Sequence, residues 1–206
     1  MSATRILLVD DHEVVRRGIA QALRDAIPGV EFGEAGDSLE AVALVSSRPW
    51  DVVLLDLKLP GRGGLDVLAE VKRLAPRTPV LVVSGYSEEE FAVRCIRAGA
   101  DGYVPKTTGA REIIAAVRKV LDGGKYVTAE VAERLASAAQ AGFTAPSHDV
   151  LSARELQVLK LVALGRSLKE IATEMNLAER TIATYRVRLG RKLGLSSNVD
   201  IARYAM

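Results

Sequence analysis

One cysteine, Cys95, and two histidines, His12 and His148, are all that 206 residues offer of the usual soft metal ligands. A lone thiol excludes an intrachain disulfide framework and leaves no cysteine metal cluster. Long apolar runs are also missing. The longest, such as Ile6–Val9 and Val52–Leu55, are four or five residues, whereas a membrane-spanning helix needs about 20. The chain runs from Met1-Ser2-Ala3-Thr4-Arg5 directly into a short apolar stretch that ends at acids, so no signal peptide and a bacterial-type cytoplasmic location are expected. What is present is a globular composition, 49% hydrophobic and 26% charged. The length suits one large domain or a medium one plus a small one.

The net charge of +2 hides an asymmetry. Residues 1–121 carry 16 basic and 17 acidic side chains, and residues 122–206 carry 12 and 9. Arg180, Arg186, Arg188, Arg191 and Lys192 lie within one short stretch that holds no acid. That imbalance suggests a polyanion partner for the C-terminal part; a solvated helix face is the plainer reading of the same residues.

The first 121 residues alternate short apolar runs with amphipathic stretches. The runs are Arg5–Val9, Val30–Glu34, Asp51–Leu55, Val80–Val83 and Gly102–Val104. The stretches are Val14–Ala26, Leu39–Ser47, Leu65–Leu74, Glu88–Ala98 and Ala110–Leu121. Five β-then-α units imply an α/β domain, a five-stranded parallel, doubly wound (flavodoxin-like) sheet with helices on both faces. A linker is expected over residues 122–147. It opens on Asp122-Gly123-Gly124, contains a helical segment near Thr128–Gln140, and closes on a Gly/Pro-containing break. The remainder, 148–206, reads as an all-α domain of four helices: Ala153–Leu164, Leu168–Met175, Glu179–Leu193 and about Asn198–Tyr204. Ser152-Ala-Arg-Glu155 and Ser167-Leu-Lys-Glu170 are capping boxes that open the first two.

In such sheets the functional crevice lies at the carboxyl ends of the strands. Asp10 and Asp11 end the first strand, Asp56 the third and Ser84 the fourth, and Lys106 follows the fifth. Each alone is ordinary turn or cap chemistry. Jointly they form an acid cluster whose repulsion a divalent cation relieves, and few carboxylates with retained waters suit Mg²⁺. Asp56 is then placed to attack a phosphoryl donor, with Lys106 neutralising charge and Ser84 donating to a phosphoryl oxygen. His12 follows the acid pair with no second histidine nearby, and is read as a helix-start or surface residue.

These residues carry a resemblance. Residues 1–121 resemble the receiver domain of two-component response regulators in Asp56-Leu-Lys-Leu-Pro60-Gly-Arg-Gly-Gly64, Ser84-Gly85 and Tyr103-Val-Pro-Lys106. The resemblance implies that Asp11, Asp56 and the backbone carbonyl of Lys58 bind Mg²⁺, with Asp10 assisting through water. It also implies that Ser84 and Tyr103 form a switch pair; core packing is the other reading of Tyr103. Many receivers place proline after the lysine, whereas here Pro105 precedes Lys106 and Thr107 follows, so no cis peptide is expected there.

Residues 151–206 resemble the LuxR-type helix-turn-helix of the NarL/FixJ class in Leu151-Ser-Ala-Arg-Glu155, Val158-Leu-Lys-Leu-Val162, Gly165, Lys169-Glu-Ile-Ala172, Leu177, Thr181-Ile, Thr184-Tyr-Arg186 and Lys192-Leu-Gly-Leu195. By this resemblance Ala183, Thr184 and Val187 face bases, while Lys169, Arg180, Thr181, Tyr185 and Arg186 contact phosphates. Arg188 suits either role, and Arg191 shares its helix face. Ala183, Tyr185 and Ala178 stand where many members have lysine, histidine and a capping Ser or Thr. The last helix resembles a dimerisation helix, with a plain core helix as the alternative.

The expected protein is a transcription regulator rather than a turnover enzyme, an acceptor that assists its own phosphotransfer and dephosphorylation. Its implied partners are a sensor histidine kinase and double-stranded DNA bound as a homodimer, with no membrane. Two rivals remain: a receiver that is only a scaffold, and a Mg²⁺-dependent phosphohydrolase using Asp56 in turnover. The latter lacks a second acid placed as a general base.

Overall fold

The structure, a computed structural model, describes residues 3–60, 63–86, 88–140, 151–195, 197, 200, 201 and 204. Two compact units emerge, Met1–Phe143 and Thr144–Met206. In the first, β1 (Thr4–Val9), α1 (Glu13–Ala26), β2 (Val30–Ala35), α2 (Ser38–Ser47), β3 (Val52–Leu55), α3 (Gly64–Leu74), β4 (Val80–Ser84), α4 (Glu88–Arg97), β5 (Gly102–Pro105) and α5 (Ala110–Leu121) alternate as the apolar periodicity requires. All strand pairings are parallel, in the order β2-β1-β3-β4-β5. The unbroken Val/Leu runs of β3 and β4 are buried throughout, because helices cover both sheet faces.

Strand parity places the site. Ile6, Leu8, Val52, Leu54, Leu81, Val83 and Val104 join Ala20 and Leu23 of α1 and Ile113, Ala116, Val117 and Val120 of α5 in one core. Side chains alternate along a strand, so Asp10, Asp56 and Lys106 continue the α1/α5 side, while Ser84 and Tyr103 continue the other. The strand order reverses between β1 and β3, which opens the crevice beside the first two acids.

Beyond α5, Tyr126 bridges to Gly102 in parallel, and α6 (Ala129–Gln140) packs on α4 within the first unit. The second unit contains α7 (Ala153–Ala163), α8 (Leu168–Met175) and α9 (Glu179–Leu193). Both expected capping boxes are formed, at Ser152/Glu155 and Ser167/Glu170. Asn176 closes α8 in the left-handed conformation at φ 51°, which asparagine tolerates better than most residues. Ala178 caps α9 without a side-chain hydrogen bond. The expected helix Asn198–Tyr204 falls largely outside the described residues. Within it, Asp200, Ile201 and Tyr204 are helical, and Ser197 and Asp200 cap one another reciprocally. No helix among the described residues is long and apolar enough to cross a membrane.

Candidate functional site

The β-ladder itself sets the acids. Asp10 N donates to the Ala35 carbonyl at 3.1 Å and Asp56 N to the Val9 carbonyl at 2.8 Å, so both carboxylates leave adjacent strands at the same level. Both residues are buried, at 5% and 2% exposure. Lys106, fixed by its N–H on the Ser84 carbonyl at 2.8 Å, reaches back between them. Its Nζ lies 2.5 Å from Asp10 Oδ2 and 2.7 Å from Asp56 Oδ2. Burial disfavours the Lys106 charge, but hydrogen bonds to Asp10 and Asp56 and their negative charges outweigh it and hold its pKa above the ordinary lysine value.

With both Oδ2 atoms committed to Lys106, the Oδ1 atoms are left for other partners. Asp10 Oδ1 accepts the His12 backbone N–H at 2.9 Å. Asp56 Oδ1 is buried and has no hydrogen-bond partner among the described residues. A buried acceptor without a donor costs on the order of 1–3 kcal/mol, so this atom is set for a ligand. Asp11 is more exposed, and donor atoms of Asp10, Asp11, His12 and Asp56 lie within 4.8 Å of one another. The group is a fit for a hard divalent cation, which takes carboxylate oxygens and keeps waters.

Sequence reasoning missed the residues that hold this pocket in place. Arg16 Nη1 donates to the Asp10 carbonyl at 2.6 Å while its Nε donates to Glu34 on β2 at 3.0 Å. The only sequence signal was an arginine on the inner side of an amphipathic helix. Gly64 donates its N–H to the Leu57 carbonyl at 3.1 Å, and a Cβ there would lie 2.4 Å from Leu57 Cα and 2.5 Å from the Asp56 carbonyl oxygen. Both neighbours are backbone, so Gly64→Ala must push α3 away from the Asp56 loop. The expected cost is about 1–3 kcal/mol with slower acceptor chemistry, read by thermal melting and by the labelling rate. Lys58, two residues after Asp56, is exposed.

Ser84 and Tyr103, both fully buried, meet through a residue the sequence did not single out. Ser84 Oγ accepts the Tyr86 N–H at 3.3 Å, and Tyr103 Oη donates to the Tyr86 carbonyl at 2.8 Å. The Tyr86 ring stacks at 4.7 Å on Phe91 of α4, and the Tyr103 N–H donates to the Tyr126 carbonyl at 3.0 Å. The peptide bonds around Pro105 and Lys106 are trans.

In the second unit, Arg180, Thr184, Val187, Arg188 and Arg191 form the exposed face of α9, and Lys169 is exposed on α8. Thr181, Ala183, Tyr185 and Arg186 are half-buried, and Ile182 and Leu189 are fully buried. Val187 leaves 53% of its surface in solvent, on the same exposed face as the arginines. Behind this face Glu155, 3% exposed, accepts the Ser152 N–H at 2.7 Å and pairs with Lys192 Nζ at 2.7 Å. That pair ties the start of α7 to the end of α9.

Comparison with known proteins bears on both units. Residues 6–118 match the family model of the response regulator receiver domain. Residues 149–205 match that of the bacterial regulatory proteins, luxR family. The response regulator GacA of Pseudomonas aeruginosa is 35% identical over 98% of this chain and 95% of its own. The response regulator UvrY of Escherichia coli is 33% identical over 98% and 93%. Among solved structures, RcsB from Salmonella enterica serovar Typhimurium, bound to promoter P1flhDC in the presence of phosphomimetic BeF3−, is similar over 98% of both chains at 26% identity and a TM-score of 0.61.

Proposed function

Because this chain belongs to the response regulators that join a receiver domain to a LuxR-type DNA-binding domain, we propose that Asp56 is its phosphoacceptor and that phosphorylation there sets the affinity of α9 for DNA. The observation that carries this reading is Asp56 itself: a buried carboxylate with one oxygen on Lys106 and the other unpartnered. The Asp56 carboxylate attacks the phosphorus of a kinase phosphohistidine; a P–O bond forms as the P–N bond breaks. Lys106 offsets charge on the incoming oxygens. Asp10, Asp11, Asp56 and the Lys58 carbonyl would hold Mg²⁺, which when bound neutralises further charge on the transferring group. The same groups, with water as the nucleophile, support hydrolysis of the acyl phosphate, so the protein resets itself without being a turnover enzyme.

Ser84 is proposed as the sensor. Its Oγ is an acceptor for the Tyr86 N–H, which leaves its hydroxyl hydrogen to donate to a phosphoryl oxygen. Turning toward the phosphoryl group loosens that contact and, through Tyr86, the bond made by Tyr103. The response is a shift between two arrangements of one loop. The segment over 122–147 is proposed to carry it to a reader over 148–206. There Ala183, Thr184 and Val187 meet base edges in the major groove, and Lys169, Arg180, Thr181, Tyr185 and Arg186 meet phosphates, with Arg188 and Arg191 on the same face. A solved relative binds promoter DNA in the presence of a phosphomimetic, which supports DNA binding by the phosphorylated state; the proposed protein is a cytoplasmic regulator that meets paired half-sites as a homodimer. Replacing Asp56 with alanine is expected to abolish Mg²⁺-dependent labelling by a small phosphodonor. Full labelling of Asp56→Ala would overturn the assignment.

A further inference from the structure

His12 stands at the N-cap of α1, yet its side chain caps no backbone N–H. The ring instead turns onto the acids. Nδ1 lies 2.6 Å from Asp11 Oδ1 and 3.3 Å from Asp10 Oδ1. One donor atom from each of Asp10, Asp11, His12 and Asp56 lies within 4.8 Å of the others. Around an octahedral ion with bonds of about 2.1 Å, adjacent donors are about 3.0 Å apart and opposite ones about 4.2 Å. The four atoms span no more than 4.8 Å, close to the opposite-ligand spacing, so side-chain adjustment can bring them onto one ion. Asp56 Oδ1, buried and unpartnered, independently points to a ligand in the same place.

We propose that His12 is a nitrogen ligand of this pocket through Nδ1, and that it extends the pocket from Mg²⁺ to borderline ions such as Mn²⁺ and Ni²⁺. The inference rests on the reading of Asp10, Asp11 and Asp56 as a cation pocket. Without an ion, Nδ1 carries a hydrogen and donates it to Asp11 Oδ1 at 2.6 Å. The side chain is 54% exposed, so on metal binding that hydrogen can be released and Nε2 can hold the ring hydrogen toward water. Three carboxylates alone favour hard ions. An added imidazole strengthens binding in the order Mg²⁺, then Mn²⁺, then Ni²⁺. A histidine that only donated a hydrogen bond to Asp11 would orient that carboxylate and strengthen all three ions alike.

The two roles separate in one experiment on the untagged full-length chain. Titration calorimetry with MgCl2, MnCl2 and NiCl2 is run on the parent, His12→Ala and Asp11→Asn, and pulsed EPR is recorded on the Mn²⁺-loaded proteins. His12→Ala is expected to weaken Mn²⁺ by about 10-fold and Ni²⁺ by about 10- to 100-fold, to change Mg²⁺ by less than about threefold, and to erase a ¹⁴N modulation present in the parent. Equal weakening of all three ions, or no ¹⁴N coupling in the parent, overturns the proposal and leaves the acid pocket standing. Asp11→Asn is expected to weaken every ion; if it weakens none, the pocket reading fails and the proposal with it.

Discussion

Lys106→Met is expected to lower the stability of the receiver by about 3 kcal/mol and to reduce acceptor activity at Asp56 by several orders of magnitude. The size follows from what is left behind. Asp10 Oδ2 and Asp56 Oδ2 share one ammonium at 2.5 and 2.7 Å, and both carboxylates are buried. Removing one partner of a buried ion pair strands the other charge, at a typical cost of about 3–5 kcal/mol; here one ammonium serves two acids. Methionine keeps most of the aliphatic volume, so the loss reports charge rather than packing. Thermal melts in chelator read the stability, and labelling by a small phosphodonor reads the chemistry. The pH dependence has a definite sign. The folded Lys106 pKa is raised, so its contribution is complete below the unfolded value of about 10.4 and disappears as pH rises through the folded one. The parent should therefore lose stability at alkaline pH in a step that Lys106→Met lacks.

Glu155→Ala is expected to unfold or loosen the second unit although Glu155 faces no DNA. Glu155 completes the Ser152 capping box and accepts Lys192 from the end of α9. Ser152 still caps the helix, but its buried N–H loses its acceptor, which costs about 1 kcal/mol or more, and removing a side chain that is 3% exposed adds a cavity of similar or larger cost. The sum, about 2–3 kcal/mol, corresponds to roughly 10 °C or more in Tm for a domain this small. The effect on DNA affinity discriminates. Deleting an acid from a polyanion binder should raise affinity on charge alone, whereas loss of the α7–α9 tie should lower it. Melting followed by circular dichroism and a binding titration at low temperature check both parts. An unchanged Tm with tighter binding would show that the tie does nothing.

How much of this was legible in the sequence depended on what kind of signal each residue carries. The buried strands β3 and β4 were readable because a parallel sheet covered on both faces demands unbroken Val/Leu runs. Helices α5, α8 and α9 begin and end where the periodicity and the Gly, Ser and Asn punctuation put them. Asp10, Asp56 and Lys106 could be brought together because strand parity and topology alone place them on one side of one crevice. Ser84 and Tyr103 were named as a switch pair by the resemblance to receiver domains, but what joins them was not legible, since Tyr86 links them through its backbone N–H and C=O, and backbone groups leave no trace in residue identity. The same holds for Arg16 on the Asp10 carbonyl. His12 was readable as the start of α1, but the direction of its ring was not. Gly64 looked like one more glycine of a loop until its missing Cβ met the Asp56 backbone.

The central claim is that modification of Asp56 governs DNA binding by α9. Its most direct test begins with a duplex selected from a random-sequence pool by the phosphodonor-treated chain. Affinity for that duplex is then measured at fixed salt with and without phosphodonor and Mg²⁺, for the parent and for Asp56→Ala. The account predicts that the phosphodonor tightens binding of the parent by about 10-fold or more, a coupling of about 1.4 kcal/mol, and leaves Asp56→Ala unchanged. Equal tightening of both proteins, or none in a parent that is demonstrably labelled on Asp56, would contradict it.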